Sequence, residues 1–429
     1  MQPAGTGHQG GAGVPEEVFR AHWWPAVAVV TRQLGDLELA EDAVQDACAA
    51  ALVQWPATGI PASPGAWLIG TARHKALDRM RRESRRGAKE DRATLGPGPP
   101  GPAGSPAGPP EPWLATADDE LALVFTCCHP ALGPAARVAL TLRSVCGLAT
   151  AEIAAAFLVP EPAMAQRLVR AKRKIRQAGI AFRVPSQADL PGRLGAVLRV
   201  VYLVFTAGHQ PASGDQPIRG DLCEQAIRLA RSLAALLPAE PEVSGLLALL
   251  LLTDARRGAR TGPEGDLVLL ADQDRSRWDH AMIAEGEALV TGALRQRRPG
   301  PYQLHAAVAA CHSGAESAAV TDWRQIALLY GELIRYEPTP VVQANRAVAV
   351  AMAEGPAAGL AMLDGLRADS RLARWPQLPI ARAELLRRLG RLPEAAAAYR
   401  AALGLTGAAP ERALIARRLA EITGGRDTP

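Results

Sequence analysis

Residues 160–176 read PEPAMAQRLVRAKRKIR, and the interpretation of the surrounding chain grows from their spacing. Met164, Leu168, Ala171 and Ile175 recur at i, i+4, i+7 and i+11, which on a helix makes one continuous apolar face. Gln166, Arg167, Arg170, Arg173 and Lys174 lie away from that face. From 167 to 176 there are six cations (Arg167, Arg170, Lys172, Arg173, Lys174 and Arg176) and no acid. A purely structural helix would break such a run with glutamates placed for i,i+4 pairing. The negative charge has to come from outside the helix.

Just upstream, LATAEIAAAFLVPEP supplies a shorter helix whose Ile153 and Phe157 can meet the apolar face. Thr150 reads as its N-cap, and Leu158-Val159-Pro160 as the turn. A short helix, a tight turn and a longer basic helix make a helix-turn-helix, the second helix placed to enter a major groove. Gln166 and Arg167 can then reach base edges, and the later cations suit phosphates. The competing interpretation is a solvated basic face on a structural hairpin.

The rest of the 429 residues is consistent with helices throughout: 48% hydrophobic, 4% aromatic, rich in Ala, Leu and Arg, with few strand-like alternations. The length calls for several domains. Residues 1–14 read as a floppy tail without a signal-type apolar region. In ELAEDAVQDACAAALVQW, the residues Leu39, Ala43, Val44, Ala47, Ala51 and Leu52 make an apolar stripe, with Glu41, Asp42, Gln45, Asp46 and Gln54 off it. Residues 96–112, GPGPPGPAGSPAGPPEP, are too rich in Pro and Gly for helix or sheet and mark an extended linker. Near the end, NRAVAVAMAEGPAAGLAMLDGL and ARAELLRRLGRLPEAAAAYRAAL align with Gly355 over Gly390, close to the period of tetratricopeptide repeats.

A second basic run, ARHKALDRMRRESRR, follows Trp67 and carries Arg73, Lys75, Arg79, Arg81, Arg82, Arg85 and Arg86 against only Asp78 and Glu83. Cations beside tryptophans suit a single strand, although such rings are usually core. The six cysteines are scattered; Cys127-Cys128-His129 looks metal-like, but adjacent cysteines rarely close a zinc site, and reduced buried thiols are the better reading. No metal or other cofactor is expected. The run Leu246–Leu252 is too short for a bilayer, so a cytoplasmic protein without membrane contact is expected.

EDAVQDACAAALVQW, PGAWLIGTARHKALDRMRR and TAEIAAAFLVPEPAMAQRLVRAKRKIR resemble, in order and spacing, regions 2.1–2.2, 2.3–2.4 and 4.2 of sigma factors of the extracytoplasmic-function type. The remainder resembles a subgroup with a tetratricopeptide-like extension, through VLRVVYLVFTAGH, LLALLLLTDARRGAR, DQDRSRWD and GPYQLHAAVAACH. The resemblance implies an all-α chain: region 2 at 15–86, a linker at 87–117, region 4 at 118–184, a helical extension at 185–298 and repeats at 299–424. It implies no enzyme. Its partners would be promoter DNA and core RNA polymerase, through the β′ clamp helices and β flap. Asp42, Gln45 and Asp46 would contact the clamp helices; Trp67, Arg73, His74, Asp78, Arg81 and Arg82 would read and open the −10 element. Gln166, Arg167 and Arg170 would read the −35 element, with Arg173 and Lys174 on phosphates. The repeats would bind a regulator, a ligand or the chain's own DNA-binding domains. Two positions depart from the family: Phe205-Thr206-Ala207-Gly208-His209 stands where the subgroup reads FNEGY, and His74 where asparagine is common.

Two other readings compete. One is a stand-alone helix-turn-helix regulator, which would have no obvious use for the acidic 41–46 face. The other is an enzyme built on Asp272, Asp274, Arg275, Arg277, Asp279 and His280 of DQDRSRWDH. Alternating acids and arginines more often form a structural ion-pair lattice.

Overall fold

The computed structural model describes residues 16–94, 116–157, 159–186, 188–210, 218–263 and 265–424; the expected N-terminal tail and most of the Pro/Gly linker lie outside them. The described residues form helices and one isolated bridge, Thr261 with Leu267, and no strand. The chain divides into two compact units, 1–200 and 201–429.

In the first unit α1 (Glu16–Leu34), α2 (Leu37–Thr58) and α3 (Pro64–Thr94) pack together. Asp36 starts α2 by accepting from the backbone N–H groups of Glu38 (2.9 Å) and Leu39 (3.1 Å). The core joins Ala26, Val27 and Val30 of α1 to Ala40, Val44, Ala47 and Trp55 of α2 and Leu68, Ile69 and Ala72 of α3. The buried stripe of α2 differs from the one expected: Leu52 is 55% exposed, whereas Leu37, Ala40 and Glu41 are buried. α3 is also longer than expected, carrying helix past residue 86 to Thr94.

The second half of this unit has α4 (Ala117–Cys127), α5 (Pro134–Ser144), α6 (Thr150–Ala156) and α7 (Glu161–Gln177). Thr116 and Asp119 form a reciprocal capping box at α4. Met164, Leu168, Ala171 and Ile175 of α7 are buried, with Ile153 of α6 fully enclosed. Thr150 is the first helical residue of α6 rather than its cap: Ala149 accepts from Ile153 at 3.1 Å, and the Glu152 carboxylate reaches back to the Ala149 N–H at 2.8 Å. Leu158 of the expected turn lies outside the described residues.

α8 (Leu190–His209) runs through the division between units. It is long and apolar enough to cross a membrane by length and composition alone, and 44% of its apolar window is buried. The second unit continues with α9 (Gly220–Leu236), α10 (Pro241–Asp254), α11 (His280–Arg295) and α12 (Pro301–Ser313). Leu246–Leu252 of α10 is buried on every side, as a helix apolar all round must be. Gly245 permits that burial, since a Cβ there would stand 2.7 Å from the Gln303 backbone nitrogen of α12.

After α13 (Trp323–Tyr336) come two helix pairs, α14 (Pro340–Glu354) with α15 (Pro356–Gly365) and α16 (Gln377–Arg388) with α17 (Leu392–Leu405), then α18 (Ala409–Thr423). The aligned Gly355 and Gly390 occupy equivalent inter-helix turns at φ 113° and 72°, where a side chain would be strained. Small residues (Ala347, Ala383, Ala395 and Ala402) let the paired helices close over Leu363, Leu386 and Tyr399 in one core.

Candidate nucleic-acid interface

α7 presents two opposed faces. With the apolar face buried, Gln166, Arg170, Arg173 and Lys174 are exposed to solvent. Arg167 is half-buried because its guanidinium lies over the Phe157 ring at 5.6 Å, a contact that holds the side chain beside the α6–α7 turn. Arg170 Nε donates to the Gln166 carbonyl at 3.3 Å. Arg173 and Lys174 pair with no acid among the described residues.

The remaining two cations of the run find their counter-charge inside the same unit. Lys172 bonds Glu41 of α2, which also accepts from the Ser144 hydroxyl of α5. Arg176 pairs with Asp36 at 3.1 Å and with Glu38. The Glu41 side chain is 3% exposed and that of Lys172 14%, so this is a buried charge pair between α2 and α7. Glu41 was expected on the solvent side. Its position four after Leu37 and three before Val44 is the signal that places it on the buried face.

Of the acidic set on α2, Gln45 and Asp46 are exposed, while Asp42 is half-buried and pairs with Arg79 of α3 at 2.9 Å. Along α3, Trp67, His74, Asp78 and Arg81 or Arg82 share a face by their spacing. His74, Asp78, Arg81 and Arg82 are exposed, and Asp78 and Arg81 are 3.7 Å apart. Arg73 is half-buried. Trp67 meets Trp55 edge-on at 5.3 Å, and Trp55 stacks on Phe19 at 5.6 Å. Trp67 is thus braced by an aromatic core while keeping part of its ring at the surface.

DQDRSRWDH does not form the expected ion-pair lattice among the described residues. Asp274 accepts from Ser276, Asp279 caps α11 through the Met282 N–H at 2.9 Å, and Arg275 lies over Trp278 at 4.3 Å. Its acids and arginines form no ion pair with one another among the described residues. Cys127 and Cys128 are buried, and burial pushes the Cys128 thiol up to about 12. Among the described residues, the one metal-sized group is elsewhere: His209, Cys223 and Asp254, with ligand-type atoms within 4.8 Å of one another.

Comparison with known proteins supplies the remaining findings. Residues 19–86 match the family model for sigma-70 region 2, residues 122–175 that for sigma-70 region 4, and residues 193–294 a family of unknown function, DUF6596. An uncharacterized protein of Rhizobium meliloti (strain 1021) is 45% identical over 373 residues, covering 85% of this chain and 86% of its own. The probable ECF RNA polymerase sigma factor SigI of Mycobacterium tuberculosis is 33% identical over 171 residues, 39% of this chain and 57% of its own. No solved structure matches.

Proposed function

The chain belongs to the sigma factors of the extracytoplasmic-function type, with sigma-70 regions 2 and 4 followed by a helical extension, and from that premise we propose how its surfaces divide the work of initiation. Asp42, Gln45 and Asp46 contact the β′ clamp helices of core RNA polymerase, and region 4 approaches the β flap. Trp67, Arg73, His74, Asp78, Arg81 and Arg82 read and open the −10 element. Gln166, Arg167 and Arg170 read the −35 element, with Arg173 and Lys174 on phosphates. The linker expected at 87–117 lies mostly outside the described residues, and the extension from 185 supports the complex without chemistry of its own. Transcription places the protein in the cytoplasm.

One observation carries this reading: α7 buries Met164, Leu168, Ala171 and Ile175 while leaving Gln166, Arg170, Arg173 and Lys174 to solvent. A helix anchored along one side and cationic along the other is built to lie against a polyanion. The test is transcription in vitro with core polymerase, comparing wild type with Asp46→Arg. Asp46 is exposed and makes no side-chain bond with the described residues, so charge reversal should weaken co-purification with core enzyme and leave helix content unchanged. Undiminished binding of Asp46→Arg to core enzyme would remove α2 from the polymerase interface.

A further inference from the structure

Away from α2, α3 and α7, a set of partly buried cations lies in the second unit where the described residues supply few free acids. Two short 3-10 turns, Arg257–Ala259 and Arg275–Arg277, pack side by side. Arg260 is anchored by donating Nη1 to the His209 carbonyl at 2.8 Å. Arg275 is anchored in the same way on the carbonyls of His312 (2.8 Å) and Ala315 (2.6 Å), with its plane over Trp278. Backbone carbonyls orient these guanidinium groups without neutralising them.

Arg256 is close enough to both to feel their charge. Its guanidinium is almost wholly surrounded by protein, its Nε has no hydrogen-bond partner, and its charged neighbours are Arg260 and Arg275. It forms no hydrogen bond or ion pair from its side chain with any described residue, yet the residue keeps some solvent access. The nearby carboxylates are taken: Arg257 holds Asp254 at 2.9 and 2.5 Å and Glu224 at 2.7 Å. Burial first, and the neighbouring arginines second, push His209 down to about 2 and His312 down to about 4, so both rings are neutral at physiological pH.

A buried guanidinium without a counter-charge is costly, and removing one partner of such a pair is among the more destabilising changes known. The remedy is an anion with a geometry that a guanidinium fork can clasp. His209, Cys223 and Asp254 are ligand types that suit a cation instead. Arg257 already saturates the Asp254 carboxylate, burial and Asp254 push the Cys223 thiol up to about 12, and three arginines crowd His209. A metal ion would enter a field of its own sign.

We propose that Arg256, Arg260 and Arg275 form a binding site in the second unit for a small tetrahedral oxyanion, free phosphate or the phosphate of a monoester. The site is tested on the full-length protein by equilibrium dialysis and thermal unfolding, using inorganic phosphate and glycerol 3-phosphate against chloride at equal ionic strength. Saturable binding of one phosphate per chain and an upward shift of the unfolding midpoint are expected. Tighter binding of glycerol 3-phosphate identifies a monoester as the ligand; tighter binding of inorganic phosphate identifies the free ion. Arg256→Met should weaken phosphate binding at least tenfold and raise the midpoint in chloride, because it removes an unpaired charge. Arg275→Gln should weaken phosphate binding in the same direction and serves should Arg256→Met not fold. No saturable binding, or the same phosphate response in both variants as in wild type, would overturn the site.

Discussion

The cations of α7 and those around Arg256 differ in what surrounds them. Arg173 and Lys174 stand in water, where an uncompensated charge costs little and a polyanion can be gained at low desolvation cost. Arg256 has been largely withdrawn from water with no acid among the described residues to meet it. Between these extremes lies Lys172, half-buried and paired with the enclosed Glu41. Charge density alone, which is what first draws the eye to residues 167–176, does not separate these cases. Burial and the inventory of acids do.

The largest effect that would sharpen this contrast comes from Lys172. Lys172→Met leaves Glu41 buried with only the Ser144 hydroxyl, and should destabilise the first unit by about 3–5 kcal/mol. Adding Glu41→Leu should restore most of that loss, as read by a double-mutant cycle in chemical denaturation. If Lys172→Met were neutral, the seam between α2 and α7 would be absent in solution.

The second effect separates the units by pH. His209 and His312 fold with pKa values below the ordinary value, so the unfolded chain binds protons that the folded chain refuses. Their contribution is complete above the ordinary histidine value of about 6.5 and drains as pH falls, to about pH 4 for His312 and about pH 2 for His209. At pH 5 each costs on the order of 2 kcal/mol. Calorimetry at pH 7 and pH 5 should show the transition of the second unit falling, and both His312→Gln and His209→Gln should reduce the fall.

Base reading comes next. Arg167→Ala should cost roughly 1–3 kcal/mol at one or two positions of the −35 element and leave other promoter positions alone. Phe157→Ala should produce a milder version, since the ring holds the guanidinium in place. A uniform loss across all promoters would return Arg167 to the phosphate-binding group. Smallest of all, Lys174→Ala should weaken every promoter alike and flatten the salt slope by about one unit, and Arg176→Ala should cost under about 1 kcal/mol of stability because its pairs are exposed.

How far sequence alone could go follows from the range of the forces involved. The faces of α7 and the paired turns at Gly355 and Gly390 were legible because they are set by neighbours within a helical turn or by backbone conformation. Exposed Leu52 and buried Glu41 were misplaced because a helix stripe can be drawn two ways where small alanines fill both sides. The partners that decide Glu41, Lys172 and Ser144, lie on helices far down the chain. The site at Arg256 was invisible for the same reason, as it assembles residues from the ends of α8 and α12 with two short turns. In DQDRSRWDH the acids were recognised, but their use as caps depends on where helices begin. A truncation meant to isolate the DNA-binding half should likewise end near Val200 rather than at 185, because Arg193 of α8 donates to the Phe125 carbonyl of α4.

The bond between Glu41 and Lys172 also lies within a turn of the residues proposed to meet the polymerase. α2 carries both the acids that hold α7 and, one turn along, the residues assigned to the polymerase, so a chain with α7 docked offers core enzyme a partly occupied helix. If that junction parts while each half stays folded, both regain hydration, and the parting is a reversible equilibrium rather than an unfolding. A closed-to-open ratio of about 100 to 1 would weaken the apparent affinity for core enzyme about a hundredfold without changing a single contact in the complex. Added salt, which weakens the exposed pairs of Arg176 first, would raise the free fraction. Supply of active protein would then follow ionic strength as well as synthesis.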